Sequence, residues 1–186
     1  MFAYATKALR RPYMARRMMN GGAGRYPPAS PAHPPNPTPS RGLITLKDHV
    51  FFEKATAEGS GRSGGSVESF GDAPLKLHMA MPKSAGGKGD GQNPEQLFAM
   101  GYSTCFLGSL QLMAARAGLK EAAEKAKVSA SVFLGHPTDP NLEGFGLRVE
   151  LHVENFEDDA VIQAAHDFCA YSRALNHGID VKVLKV

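Results

Sequence analysis

From Gln96 to Ala115 the chain carries no charged side chain; Glu95 precedes the stretch and Arg116 ends it. A segment of that kind must be covered by something, so it limits the architectures open to the rest of the chain. Its start reads as a helix N-terminus. Asn93 is a favoured N-cap and Pro94 suits the first helical position, where a missing N–H costs nothing. Gln96, three residues after the cap, completes a pattern like a capping box. Apolar residues fall on every side, which predicts a helix, ending near Gly118, that is buried all round rather than amphipathic. Gly101, Ser103, Thr104, Gly108, Ser109 and Gln111 make the run too polar for a membrane span. Cys105, one of two cysteines, lies in its middle.

The flanking sequence predicts strands. Residues 43–57 are strand-like, centred on Val50, Phe51 and Phe52. The run Gly59-Ser60-Gly61-Arg62-Ser63-Gly64-Gly65 is a turn. Residues 66–70 and 75–81 read as two more strands, and 82–92 as a flexible loop. After the helix, 122–125 is a short helical or loop piece. Leu147, Val149, Leu151 and Val153 alternate with Arg148, Glu150, His152 and Glu154, so 145–153 pairs antiparallel with 128–134. Asp158 opens a second helix reaching about Tyr171, with Val161, Ala165, Phe168 and Cys169 on related faces. Residues 179–186 form a closing strand. Strands, helix, strands, helix, strand is an α+β order.

The formal charge of +3 is unevenly distributed. Residues 1–47 hold eight Lys and Arg and no acid; the remaining 13 basic and 18 acidic residues leave the rest at −5. The basic character therefore belongs to the N-terminal segment and does not point to a folded nucleic-acid-binding face. Residues 1–25, Arg-rich and acid-free among Ala, Met, Tyr and Phe, have the composition of a mitochondrial transit peptide. Seven prolines in 26–41 mark a disordered linker, and the folded domain is expected over 42–186.

Four residues bear on chemistry. Cys105 reads either as an inert buried thiol or as a reactive one, which requires a nearby cation or a helix N-terminus. It lies too deep in its own helix to use that dipole. Arg62, in a turn whose glycines allow close approach, is a candidate partner or a solvated side chain. Glu95 complements the helix dipole without further purpose. Ten residues separate it from Cys105, about 15 Å along a helix. If the two serve one site, the helix breaks or Glu95 comes from a second subunit. Cys169 is a structural thiol or a resolving thiol for Cys105; with His166 it gives two metal ligands, too few for zinc. Phe98, Tyr102, Phe106 and Leu107 offer apolar surface beside Cys105.

The run 93–110 resembles the central-helix signature of organic hydroperoxide resistance proteins, the Ohr branch of the OsmC/Ohr family. Gly61-Arg62, Ala80-Met81-Pro82-Lys83, Gly144-Phe145-Gly146-Leu147, and Cys169-Ala170-Tyr171-Ser172 with Gly178-Ile179-Asp180-Val181 extend the resemblance over residues 46–186. Ala170 departs from the family's usual Pro. The resemblance implies antiparallel sheets wrapped around a buried central helix in an intertwined homodimer, with active sites at the subunit interface. It implies a thiol peroxidase acting on organic, including fatty-acid, hydroperoxides. Cys105 would be peroxidatic, Cys169 resolving, Arg62 the activating cation and Glu95 its anchor, with Phe98, Tyr102 and Phe106 toward the substrate tail. No metal or bound cofactor is implied; dihydrolipoyl groups on lipoylated proteins would be the external reductant, which mitochondria can supply. A thiol redox sensor or interaction protein on the same fold, and an OsmC-type peroxidase of different substrate preference, are the competing readings.

Overall fold

In the computed structural model of the chain, residues 42–185 are described; the predicted transit segment and proline-rich linker lie outside them. Helix α1 (Pro94–Arg116) is a single uninterrupted run of 23 residues. The capping box forms as predicted: the Gln96 N–H donates to Asn93 Oδ1 at 2.9 Å, and the Asn93 N–H donates to Gln96 Oε1 at 3.0 Å. Ser103 and Thr104 donate to the Met100 carbonyl and Ser109 to that of Cys105. Turned back in this way, the hydroxyls leave no unpaired donor on an apolar helix.

The helix is not buried all round. Tyr102, Phe106, Ser109, Leu110 and Ala114 form one buried stripe. The opposite strip of Met100, Thr104, Gly108 and Leu112 is open, Met100 by 61% and Leu112 by 41%. Apolar residues point both ways, but the described chain covers one side only. By length and composition α1 also passes as a membrane-crossing helix, with mean hydropathy 1.3, contrary to its polar reading. Its apolar stripe is instead spent on a protein core, because a strand at Lys127–Gly135 and a helix at Asp159–Phe168 pack directly on it.

Strands β1 (Lys54–Glu58), β2 (Ser66–Phe70) and β3 (Lys76–His78) form one antiparallel sheet in that order. None of them packs extensively on a helix. Past the short helix α2 (Lys120–Ala123), β4 (Lys127–Gly135) and β5 (Gly146–Glu154) pair over their full length, from Lys127 opposite Glu154 to Gly135 opposite Gly146. Val149, Leu151 and Val153 turn inward against the core of Phe106, Leu110, Ala114 and Ala165, as the alternation requires.

Several elements differ from expectation. The first predicted strand shrinks to β1; Val50, Phe51 and Phe52 are exposed, Val50 by 92%. The closing strand is absent over 180–185, where Val183 is 95% exposed, and only an isolated bridge joins Ile179 to Ile44. Both segments have strand-forming side chains but no sheet edge within reach. The 82–92 loop is tied down: Ala80 and Gln92 exchange backbone bonds with Gln92 and His78, and Gly87 and Gly89 donate to Pro82 and Met81. The predicted second helix is two, α3 (Asp159–Phe168) and α4 (Ala170–His177), separated at Cys169, which is extended at φ −61°, ψ 128°. Phe168 is partly exposed, off the buried line of Val161, Ala165 and Cys169.

Candidate active site

The turn carrying Arg62 is a short 3₁₀ segment, Gly61–Ser63, between β1 and β2. Glycine is required beside it: a Cβ on Gly65, at φ +111°, would lie 2.1 Å from the Glu58 carbonyl oxygen. The strands can cross there only as bare backbone. This directs Arg62 to the start of α1, where its Nη1 donates to Glu95 Oε1 at 2.6 Å. Glu95 is the more sheltered partner, 17% exposed against 41%.

Cys105 meets Cys169, not Arg62. The two sulfurs lie 3.3 Å apart, and both are free thiols. The break between α3 and α4 makes the meeting possible. Cys169 leaves the α3 helix, sinks fully into the core, and becomes the residue before the first turn of α4. Both thiols thereby face a helix N-terminus, which is α4's and not Cys105's own.

Electrostatics divide the pair. Burial pushes the Cys105 thiol up; the Tyr171 N–H opposes this, Cys169 adds to the rise, and the Ala170 N–H opposes it weakly. Burial also opposes ionisation of Cys169. The Ser172 N–H, the Cys105 thiol, the Ser172 hydroxyl and the Tyr171 N–H outweigh it and bring Cys169 below the ordinary thiol value. No side-chain capping bond closes at Cys169, so these N–H groups act through their field. No cation features among the main influences on Cys105.

Ser172 appears in the sequence only as part of the Cys169-Ala170-Tyr171-Ser172 motif, with no role of its own. It is fully buried, and its Oγ lies 2.9 Å from the Tyr102 hydroxyl. Burial raises the Tyr102 pKa, so this phenol keeps its proton. Tyr171, likewise given no role from the sequence, approaches α1 at Gly101, where a Cβ would come 3.2 Å from its hydroxyl oxygen. It completes an aromatic triangle with Phe98 and Tyr102, with ring centroids 5.9–6.2 Å apart. Of the three predicted substrate-facing residues, Tyr102 and Phe106 line a cavity of about 240 Å³ between α1, β5 and α3, and Phe98 does not. His166 borders the same cavity near Asn176. Among the described residues no group of three His, Cys, Asp or Glu side chains suited to a metal occurs.

Residues 87–184 match the sequence profile of the family described as OsmC-like protein. The chain belongs to the OsmC-like family. It is similar to the organic hydroperoxide resistance protein of Xanthomonas axonopodis pv. citri, 40% identical over 138 residues, covering 71% of this chain and 92% of the relative. The organic hydroperoxide resistance protein OhrB of Bacillus subtilis is 34% identical over 139 residues, covering 72% and 96%. Among solved structures, that OhrB superposes with a TM-score of 0.57 over 72% of this chain and 97% of the other. A thiocyanate-bound organic hydroperoxide resistance protein from Elizabethkingia anophelis, 36% identical, superposes at 0.60 over 74% and 96%. The α+β fold, with antiparallel sheets and a central helix, is that of these OsmC-like relatives.

Proposed function

We propose that the chain is a thiol-dependent peroxidase that reduces organic hydroperoxides, fatty-acid hydroperoxides among them, to alcohols. Membership of a family whose relatives are organic hydroperoxide resistance proteins supports that general role. The observation that carries the mechanism is the 3.3 Å approach of Cys105 and Cys169 within one chain. The Cys105 thiolate attacks the terminal oxygen of ROOH. The O–O bond breaks, ROH leaves with a proton, and Cys105 becomes a sulfenic acid. Cys169 then attacks that sulfur, water departs, and a disulfide remains. A dithiol of the dihydrolipoyl class returns two electrons.

Activation of Cys105 needs a cation, and none of the described residues of its own chain features as one among the main influences on it. α1 is unbroken, so the Arg62–Glu95 pair sits at one end, about 15 Å along the axis from Cys105. In our reading a second copy packs on the open strip of α1, and its Arg62, held by Glu95, reaches Cys105. The uncovered strip, the loosely attached β1–β3 sheet and the exposed residues 50–52 and 181–184 support such a homodimer. A mitochondrial address in residues 1–25, where lipoylated proteins are at hand, completes the proposal; a fusion of residues 1–41 to a fluorescent reporter that stays cytosolic would remove it.

The deciding experiment couples cumene or fatty-acid hydroperoxide reduction to lipoamide and lipoamide dehydrogenase. Cys105→Ser is expected to lose turnover. Cys169→Ser is expected to reduce one equivalent of peroxide and then recycle poorly. Full activity in Cys105→Ser overturns the nucleophile, and unimpaired recycling in Cys169→Ser overturns the resolving role.

A further inference from the structure

The two sulfurs are chemically unequal, and this bears on how the disulfide is opened again. A thiol–disulfide exchange needs an entering thiolate with access to one sulfur and a second sulfur able to leave as an anion. We propose that the reducing dithiol attacks Cys105 Sγ, and that Cys169 departs as a thiolate received by Ser172 and the first turn of α4. The inference rests on the disulfide and reductant class proposed above.

Access decides the first half. Cys169 has no exposed surface and packs in the core with Ala165 and Phe106, whereas Cys105 is partly open. An entering sulfur approaches along the line of the S–S bond, opposite the sulfur that leaves. Cys105 keeps some exposed surface through which such an approach can come, and Cys169 keeps none.

The surroundings of Cys169 decide the second half. Charge that develops there meets the N–H groups of Tyr171 and Ser172, which point out of the first turn of α4, and the Ser172 hydroxyl. Tyr102 keeps its proton and lies 2.9 Å from Ser172 Oγ. With Tyr102 donating to Ser172, the Ser172 proton is free to turn to Cys169. Both hydroxyls are buried, so no water competes for that proton. The step balances: the reductant's thiolate forms a new S–S bond to Cys105, the Cys105–Cys169 bond breaks, and its electron pair leaves on Cys169. The second reductant thiol then displaces Cys105 and closes the reductant's own disulfide. Ser172 is a positioning residue here; it acts on the leaving sulfur and on neither peroxide nor reductant.

The test forms the disulfide in the full chain with diamide, so that it does not depend on peroxidase activity. The peroxidase reading fails separately, if organic hydroperoxide does not form the same disulfide. 2-Mercaptoethanol, which cannot cyclise, is added and the reaction is quenched in acid within the first turnover. Peptide mass mapping is expected to find the mixed disulfide on Cys105; finding it on Cys169 overturns the proposal. Reduction by dihydrolipoamide is then timed in two variants. Ser172→Ala is expected to be about tenfold slower, as befits a lost hydrogen bond to a developing anion, and Ser172→Thr, which keeps the hydroxyl, within about threefold of wild type. A wild-type rate in Ser172→Ala, or equal slowing in both variants, overturns the role of the hydroxyl.

Discussion

Arg62 and Cys105 present opposite problems at the scale of single residues. Arg62 has its anchor, Glu95 at 2.6 Å, but no thiol. Cys105 has a thiol partner but no cation among the main influences that the described residues exert on it, and burial lifts its pKa above the usual thiol value. A thiol with a raised pKa gains its thiolate only as pH climbs through that higher value, so at neutral pH such a Cys105 is mostly protonated and slow. In the dimer proposed above, Arg62 would lower the value and move the rise in reactivity to lower pH. In Cys169→Ser protein, where one thiol titrates, the thiolate absorbance near 240 nm is therefore expected to rise well below pH 8.5 with Arg62 present and above it in Arg62→Ala. Matching curves would remove Arg62 from the thiol's environment. The same residues show what the sequence made legible. Arg62, Glu95, Cys105 and Cys169 stand out as chemical types. Ser172 does not, because a serine in a helical run looks solvated until the fold buries it.

Among the elements, α1 owes its definition to local signals. Replacing Asn93 with Ala removes the acceptor for the Gln96 N–H and is expected to cost about 1 kcal/mol, read as a fall in Tm of roughly 2–4 °C for a chain of this size. An unchanged Tm would show that the cap is redundant. The junction of α3 and α4 is the opposite case. No Gly or Pro marks residues 168–171; the break forms because Cys169 and Ser172 are drawn into the core, a tertiary cause that a helical pattern conceals. Cys169 already has the extended geometry tolerated before proline, and residue 170 is the first of its helix, where proline fits. Ala170→Pro is thus expected to stabilise the chain by about 0.4–1 kcal/mol, and, by deleting an N–H that favours the Cys105 thiolate, to raise the Cys105 pKa. A lower Tm would show that the junction must move in the native state. The hairpin β4–β5 was legible from alternation alone. Residues 43–53 and 180–185 were misread because strand propensity announces a wish for a partner edge, not its presence.

For the whole molecule, the open strip of α1 is the test of assembly. Leu112→Asp places a charge where an apolar neighbour is expected and leaves the buried stripe untouched. Sedimentation at micromolar concentration should show a dimer for wild type and a monomer for Leu112→Asp, with peroxidase activity lost alongside; an active monomer would return the whole site to one chain. The closeness of the two sulfurs, 3.3 Å against about 2.05 Å for a bond, has one more consequence. Closing that gap brings the two sulfurs about 1.3 Å nearer, and one of them is wholly interior. Oxidation of this pair would leave the outer surface almost as it was, and a partner waiting outside would have nothing to read. A messenger has to change its appearance; a thiol pair that can be oxidised and restored without doing so is suited to turnover.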